Sequence, residues 1–293
     1  MVMELHQLRY LVAVADLGSF TAAAQSLHVS QSGVSAQVAK LERELGHRLL
    51  DRGGRTVGLT PEGRALLPHA RAAQAAVEAV RATADELTGV VRGHVRLGTV
   101  IGCTIPGYLT GFADFRARHP GVTVEVAEGN SDDLLADLAA GRLDVALVAH
   151  ARPLPDGVRG HTLIREPLAV VVPDGHDWAG GDSVTCADLA GTTVLCLPPG
   201  TGVRTALDIT AAAERILVRP QVQAHSPEAL MALAERGAGA AVLTESMAGG
   251  RAGVATVALA RSARTQLSLA TRAAPSAAAA SMGRALLDGL TPR

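Results

Sequence analysis

Apolar positions in the first sixty residues recur at helical spacing, in short blocks separated by glycine and serine. Leu5, Leu8, Leu11, Val12 and Ala15 form one stripe, which Gly18 ends. Ser19 offers a hydroxyl N-cap to a second helix whose Ala22-Ala23-Ala24 run lets a crossing helix approach closely. His28-Val29 makes a turn, and Ser30 caps a third helix. Along it Val34, Val38, Leu41 and Leu45 form one buried stripe, and Gly46 is placed for a left-handed C-cap. Gly53-Gly54, between apolar runs, signals a hairpin turn.

Beyond residue 60 the period lengthens. Thr60-Pro61-Glu62 combines a hydroxyl cap, a proline at the first helical position and an acid in the first turn. The helix it opens is predicted to run to about Thr88, with Gly89 beyond. Leu66, Ala70, Ala73, Val77, Val80, Ala84 and Leu87 alternate spacings of four and three, the seam of a coiled coil. Pro68 removes one internal hydrogen bond and predicts a kink. Such a helix gives roughly 40 Å of spacer and would hold two copies of the N-terminal unit at a fixed separation.

From Gly93 strands alternate with helices. Val95–Thr99, Val122–Val126 and Leu143–Val148 read as strands around helices at Ile105–Arg118 and Ser131–Ala140, a βαβαβ order that predicts a parallel sheet covered on both faces. A second unit begins near Pro167. Leu168–Val172, Thr193–Leu197, Gln221–Ala224 and Ala240–Leu243 are its strands, with helices at Val203–Arg215 and Pro227–Arg236. Gln266–Ala270 and Ser276–Leu290 close the chain as one strand and one helix.

Length and composition bound this picture without naming a function. The 293 residues fit two or three domains, and with 48% apolar but 2% aromatic residues the cores must be packed from small aliphatics. A net charge of −1 gives no hint of nucleic acid. Within the first sixty residues Arg9, Lys40, Arg43, Arg48, Arg52 and Arg55 barely outnumber Glu4, Asp16, Glu42, Glu44 and Asp51. Location therefore matters more than sum. Glu4, His6, Arg9 and Asp16 interrupt any apolar run that would serve as a signal peptide, and no stretch approaches a membrane span. Three cysteines, Cys103, Cys186 and Cys196, fit reduced thiols, so a cytoplasmic location is expected.

Chemistry concentrates on the outer face of the third helix. Ser30, Gln31, Ser32, Ser35 and Gln37 offer groups that hydrogen-bond base edges, and Lys40 suits phosphate. Arg52 and Arg55 flank the hairpin tip, in reach of phosphate or a minor groove. Three helices and a basic hairpin make a winged helix-turn-helix. Phe20-Thr21-Ala22-Ala23-Ala24, Val29-Ser30-Gln31-Ser32, Leu41-Glu42-Arg43-Glu44-Leu45-Gly46 and Leu59-Thr60-Pro61-Glu62-Gly63 together resemble the LysR-type transcriptional regulators. The resemblance extends to the C-terminus. It departs at Ser32, where the family commonly has Pro, at Ala36, often a large polar residue there, and at Leu50, usually Phe.

That resemblance implies a fold and a function. Residues 1–60 are the winged helix-turn-helix DNA-binding domain and 61–92 the dimerising linker. Residues 93–293 are a two-lobed α/β effector domain similar to a periplasmic binding protein, with lobe one at 93–165 and 266–293 and lobe two at 166–265. The expected activity is sequence-specific binding of a double-stranded DNA operator, modulated by a small organic effector of unknown identity, with no other cofactor and no catalysis. Expected partners are a second copy or a tetramer of this chain, and RNA polymerase at the promoter.

Effector contacts are expected at the carboxyl ends of strands and the helix N-termini that follow. They are Thr99, Val100, Gly102, Cys103 and Thr104 after the first strand, Asn130 and Ser131 after the second and His150 past the third. Thr201, Gly202 and Ser226 come from the second lobe. In the resembled family such turns often hold a carboxylate, and Val100, Ile101 and Cys103 make the wall apolar, as a small organic acid would need.

Other signals lead elsewhere or nowhere. Pro198–Thr205 imitates a phosphate loop but has Leu197 at the first glycine position and lacks the lysine. No metal-ligand spacing occurs among the ten histidines, and Cys103 with His150 lacks a third catalytic partner. Two rival readings remain: a solute-binding protein or cleft enzyme with an accessory N-terminal module, and a thiol redox sensor. Peroxide-sensing members of the resembled family use a cysteine pair in the second lobe, where Cys186 and Cys196 lie ten apart. Neither thiol has a cluster of cationic neighbours in sequence to activate it.

Overall fold

The computed structural model describes residues 3–53, 56–87, 93–103 and 105–291. Three helices open the chain: α1 (Leu5–Leu17), α2 (Phe20–Ser26) and α3 (Gln31–Leu45). Their ends follow from local chemistry. Ser19 Oγ accepts the Ala22 amide at 3.3 Å and Ser30 Oγ the Gly33 amide at 3.1 Å, satisfying N–H groups that helix starts leave unpaired. Gly18 and Gly46 close α1 and α3 at φ 60° and 72°, where a side chain would be strained. Leu11, Val14, Val34, Val38 and Leu41 are fully buried where the three helices meet, whereas Leu45 only packs on the rim of that cluster.

A short wing follows. Strands β1 (Leu50–Asp51) and β2 (Gly58–Leu59) pair antiparallel, and the tip with Gly54 and Arg55 lies outside the described residues. Glu42 anchors the wing to α3, its Oε1 accepting the Leu49 and Leu50 amides at 2.8 and 3.1 Å.

The long helix α4 (Pro61–Leu87) begins as its sequence predicts, with Thr60 Oγ1 accepting the Gly63 amide at 3.0 Å. It continues through Pro68, which stays exposed. The expected seam divides. Ala70 is buried in the N-terminal core with Leu66 and Ala73 packed on it, so this half is occupied within its own chain. Farther along Val80 is 71% exposed, and the side chains of Ala84 and Leu87 lie outside the described residues.

The remaining elements in chain order are β3 (Gly93–Val100), α5 (Pro106–Arg118), β4 (Val122–Gly129), α6 (Ser131–Ala139), β5 (Val145–His150) and β6 (Val158–Glu166). Then come β7 (Leu168–Pro173), β8 (Ser183–Val184), α7 (Cys186–Ala190), β9 (Val194–Cys196), α8 (Gly202–Glu214), β10 (Val222–Gln223) and α9 (Pro227–Glu235). The last are β11 (Ala240–Thr244), α10 (Glu245–Ala248), β12 (Val254–Leu259), β13 (Thr265–Arg272) and α11 (Ala277–Leu290). They form two sheets, ordered β4-β3-β5-β13-β6 and β10-β9-β11-β7-β12-β8.

In the first sheet the βαβαβ strands are parallel as expected, but the sheet as a whole is mixed. β3 is parallel to β4 and β5, but β13 runs antiparallel to β5 and β6. The reason is connectivity: a loop rather than a crossover helix joins β5 to β6, and β13 enters the gap between them on its return from the second sheet. Against this sheet α5 packs on α11 through small residues; a Cβ at Gly107 would collide with the carbonyl of Gly289. The second sheet centres on fully buried Val170, Val171, Leu195, Val242 and Leu243.

The candidate DNA-reading face and the interlobe cleft

The stripe that buries Val34, Val38 and Leu41 leaves the other side of α3 to solvent. Gln31, Ser32, Ala36, Lys40 and Arg43 are exposed there and Ser35 is half-buried. Two expected residues have other duties. Ser30 Oγ is engaged as the cap and also receives the Ser32 hydroxyl at 3.3 Å. Gln37 lies off the outer face, half-buried, its Oε1 accepting from Nε2 of the fully buried Gln7 at 3.4 Å.

Lys40 Nζ stands 3.9 Å from Glu44 Oε1, a loose pair that leaves its charge available. Arg52 is held in place beside α3: Nη2 donates to Glu42 Oε2 at 3.0 Å, and the guanidinium lies 5.2 Å from the Phe20 ring centre. Arg55 lies outside the described residues. Between the second half of α3 and the wing runs an open groove of about 980 Å³, bordered by Ala36, Arg43, His47, Arg48 and Arg52. Arg43 and Arg48 were missed by the sequence reading; Arg43 continues the outer face three residues past Lys40, a signal that was available.

A cleft of about 390 Å³ lies where the two sheets meet. Of the expected contacts, Val100, Gly102, Cys103, Asn130, Ser131, Thr201 and Gly202 are on its wall. Thr104 lies outside the described residues. Three others are off the wall. Thr99 shares the face of β3 that carries Val95 and Leu97 and is buried. His150 is buried with both ring nitrogens engaged, Nδ1 with the Arg152 carbonyl at 2.7 Å and Nε2 with Ser268 Oγ at 3.0 Å. Ser226 caps α9, accepting the Ala229 amide at 3.1 Å and donating to Glu228 at 3.0 Å.

The sequence reading also missed most of the wall. Ile164 and Glu166 belong to β6, whose exposed, non-alternating pattern gave no strand signal. Thr265 and Leu267 come from β13, and His225, Glu228, Thr244, Ser246 and Met247 from the second lobe. Thr244 ends β11, where the strand-end rule would have placed it.

Backbone contacts close one side of the cleft. The Asp132 amide donates to the Gly200 carbonyl at 3.0 Å, and Ser131 Oγ accepts the Ala149 amide at 3.0 Å. Gly200 has φ 87°, and a Cβ built there would stand 3.2 Å from that of Asn130. Across the cleft Glu166 accepts both the amide and the hydroxyl of Ser246, at 2.8 and 2.6 Å. Asn130 Oδ1 is buried without a partner among the described residues.

The thiols divide sharply. Cys103 is half-buried on the cleft wall. Cys186 and Cys196 are fully buried in the second lobe. Burial, with Glu214 nearby, pushes the Cys186 thiol up to about 11, and burial pushes Cys196 up to about 12.

A helix-turn-helix with an exposed polar reading helix, carried on one long helix before a two-lobed α/β cleft, defines a one-component DNA-binding regulator. Residues 5–64 match the model of bacterial regulatory helix-turn-helix proteins of the lysR family, and residues 88–291 match the LysR substrate binding domain. The chain belongs to the LysR family of bacterial DNA-binding transcriptional regulators, which are not enzymes.

Among its relatives is an uncharacterized HTH-type transcriptional regulator, YnfL of Escherichia coli, 32% identical over 84% of this chain and 84% of that one. A probable hydrogen peroxide-inducible genes activator of Mycobacterium avium is 41% identical over 69% of this chain and spans 65% of its own length. A full-length OxyR cysteine variant from Pseudomonas aeruginosa shares the fold at TM-score 0.70 and 23% identity, covering 99% of this chain and 98% of that one. Among the described residues no helix is long and apolar enough to cross a membrane.

Proposed function

We propose that this regulator binds a double-stranded operator as a dimer or a tetramer and that a small organic molecule in the interlobe cleft sets its output. The domain limits of this reading are 1–60 for the reading head, 61–92 for the linker and 93–293 for the effector domain. It acts in the cytoplasm, with RNA polymerase as its partner at the promoter. The observation that carries the reading is the division of α3, with Val34, Val38 and Leu41 sealed inside and Gln31, Ser32, Ala36 and Lys40 free to enter a groove. Gln31 and Ser32 read base edges, with Ser35 at the rim. Lys40, Arg43, Arg48 and Arg52 meet phosphate. The part of α4 beyond Ala73, where Val80 is exposed, pairs with a second copy and sets the spacing of two heads.

In the cleft, Val100, Gly102, Cys103, Asn130, Ser131, Thr201 and Gly202 contact the effector. It changes output only by binding one arrangement of the lobes more tightly than another. Several relatives are named for hydrogen peroxide. In this chain Cys186 and Cys196 are sealed and protonated, which weighs against peroxide sensing through that pair.

Footprinting the purified full chain upstream of its own gene, with and without candidate metabolites, tests the reading. A protected inverted repeat whose extent or affinity changes with one metabolite is expected. Protection that is absent, or indifferent to sequence, would remove it.

A further inference from the structure

We infer that the effector carries an ammonium group on a compact apolar body; this rests on the cleft being the effector site. Among the described residues the carboxylates are the only acceptor-only side chains on the wall; His225, Asn130 and the serine and threonine hydroxyls there both donate and accept. Glu166 and Glu228 are its carboxylates, and no lysine or arginine stands among the described residues that line it. Neither carboxylate has a cationic partner among the described residues; their contacts are the hydroxyls and amide of Ser226 and Ser246. A third acceptor, Asn130 Oδ1, is buried at the wall with nothing donating to it. A ligand N–H would satisfy the buried Asn130 oxygen. Glu166 and Glu228, which already accept from serines, favour a cation through charge that no lysine or arginine among the described wall residues offsets.

The helix N-termini around the cleft do not reverse this balance. Helix starts attract anions, but α6 opens with Asp132 and Asp133, α9 with Glu228 and α10 with Glu245 and the Glu166 carboxylate across its amide. Only α5 and α8 open without an acid. Arg204 in the first turn of α8 donates from Nε to Asp208 at 2.9 Å, its Nη1 being buried without an acceptor among the described residues, and Arg204 is not on the cleft wall. Ile101, Ile105, Ile164, Met247 and Leu267 supply an apolar surface to the same cleft. A cavity of this size and mixed lining suits a small molecule with an aliphatic or ring body and one cationic end.

The test compares three probes with one apolar body: n-hexylammonium, hexanol and hexanoate. Each is titrated calorimetrically into the full chain at near-neutral pH, and protection of Cys103 from alkylation reports whether it occupies the cleft. The expected result is that hexylammonium binds at least about tenfold more tightly than hexanoate. In Glu228→Gln and Glu166→Gln its advantage over hexanol shrinks. Glu228 is exposed, so its variant will fold even if loss of the Glu166 charge loosens Ser246. Hexanoate or hexanol binding as tightly as hexylammonium, with Cys103 protected, overturns the ammonium assignment and leaves the cleft as the effector site. A preference that survives both substitutions also overturns it. Failure of all three probes to bind or to protect Cys103 overturns both.

Discussion

Gly202 and Ala149 touch backbone to backbone: a Cβ on Gly202 would stand 2.6 Å from the Ala149 carbonyl carbon and oxygen. Gly202 opens α8 in one lobe, and Ala149 lies near the end of β5 in the other, so their contact fixes how closely the lobes approach. The neighbour is backbone and cannot swing aside. Gly202→Ala therefore forces a shift of α8 and should cost about 1–3 kcal/mol, the usual penalty for overpacking. Denaturant unfolding followed by circular dichroism will show a lowered midpoint. An unchanged midpoint would mean that the lobes separate without strain.

On α3, substitutions should fall into three kinds. Gln31→Ala removes a base-edge contact, with a loss of about 1–3 kcal/mol in discrimination at one operator position. Lys40→Ala weakens all sequences alike and lowers the salt slope by about 1. Ser30→Ala destabilises the fold by about 0.5–2 kcal/mol through its lost cap and changes no base preference. Binding measured across an operator library at two salt concentrations separates the three. A shift in base preference from Ser30→Ala would return that residue to the reading face.

Glu42 links reading helix and wing. One carboxylate oxygen serves the Leu49 and Leu50 amides and the other Arg52. Glu42→Ala strands the amides and releases the arginine, with an expected cost of about 1–3 kcal/mol per unsatisfied group to the extent that water cannot reach it. Hydrogen exchange at the Leu49 and Leu50 amides should accelerate, and operator affinity should fall although no DNA contact has been removed. Unaltered exchange would show the wing held by its strand pair alone.

The N-terminal unit was legible because its signals are local. Ser19, Gly18, Ser30, Gly46 and Thr60 mark helix ends within one turn of themselves, and the structure places each where its chemistry requires. Burial of Val34, Val38 and Leu41 followed from spacing alone. Gln37 was misplaced because its orientation depends on Gln7, thirty residues away, which no helical period reports. The cleft was only partly legible for the same reason. Strand ends and helix starts revealed Asn130, Ser131, Thr201 and Gly202, while Glu166 and Thr265 sit on strands that pass between lobes. Their position depends on β13 entering beside β5, a long-range pairing. β6 is exposed along most of its length and so shows no alternation to read.

His119 predicts an acid-side loss of stability. It ends α5, with its ring centre 4.9 Å from that of Phe115. Burial, then the charges of Arg118 and Arg284, hold its pKa below the ordinary 6.5. The unfolded chain therefore takes up the proton first as pH falls. The contribution is complete above about pH 6.5 and is lost as pH drops through the lower folded value. His119→Gln should flatten that part of the stability profile in denaturant titrations made at a series of pH values. An unchanged slope would show that other groups carry it.

The three cysteines give the clearest separation between an organic effector and a thiol signal. Alkylation and peroxide attack both require a thiolate that solvent can reach. Cys186 and Cys196 meet neither condition, being fully buried with pKa values pushed up to about 11 and 12. Iodoacetamide applied to the native protein near neutral pH should label Cys103 alone, and the other two only after denaturant is added, as mass spectrometry of peptides will report. Cys186→Ser and Cys196→Ser should leave promoter output insensitive to added peroxide, as in the parent, with some loss of stability because each puts a hydroxyl into an apolar core. A peroxide response in the parent that either serine variant abolishes would instead require the second lobe to open far enough to expose these thiols, and would make redox chemistry its signal.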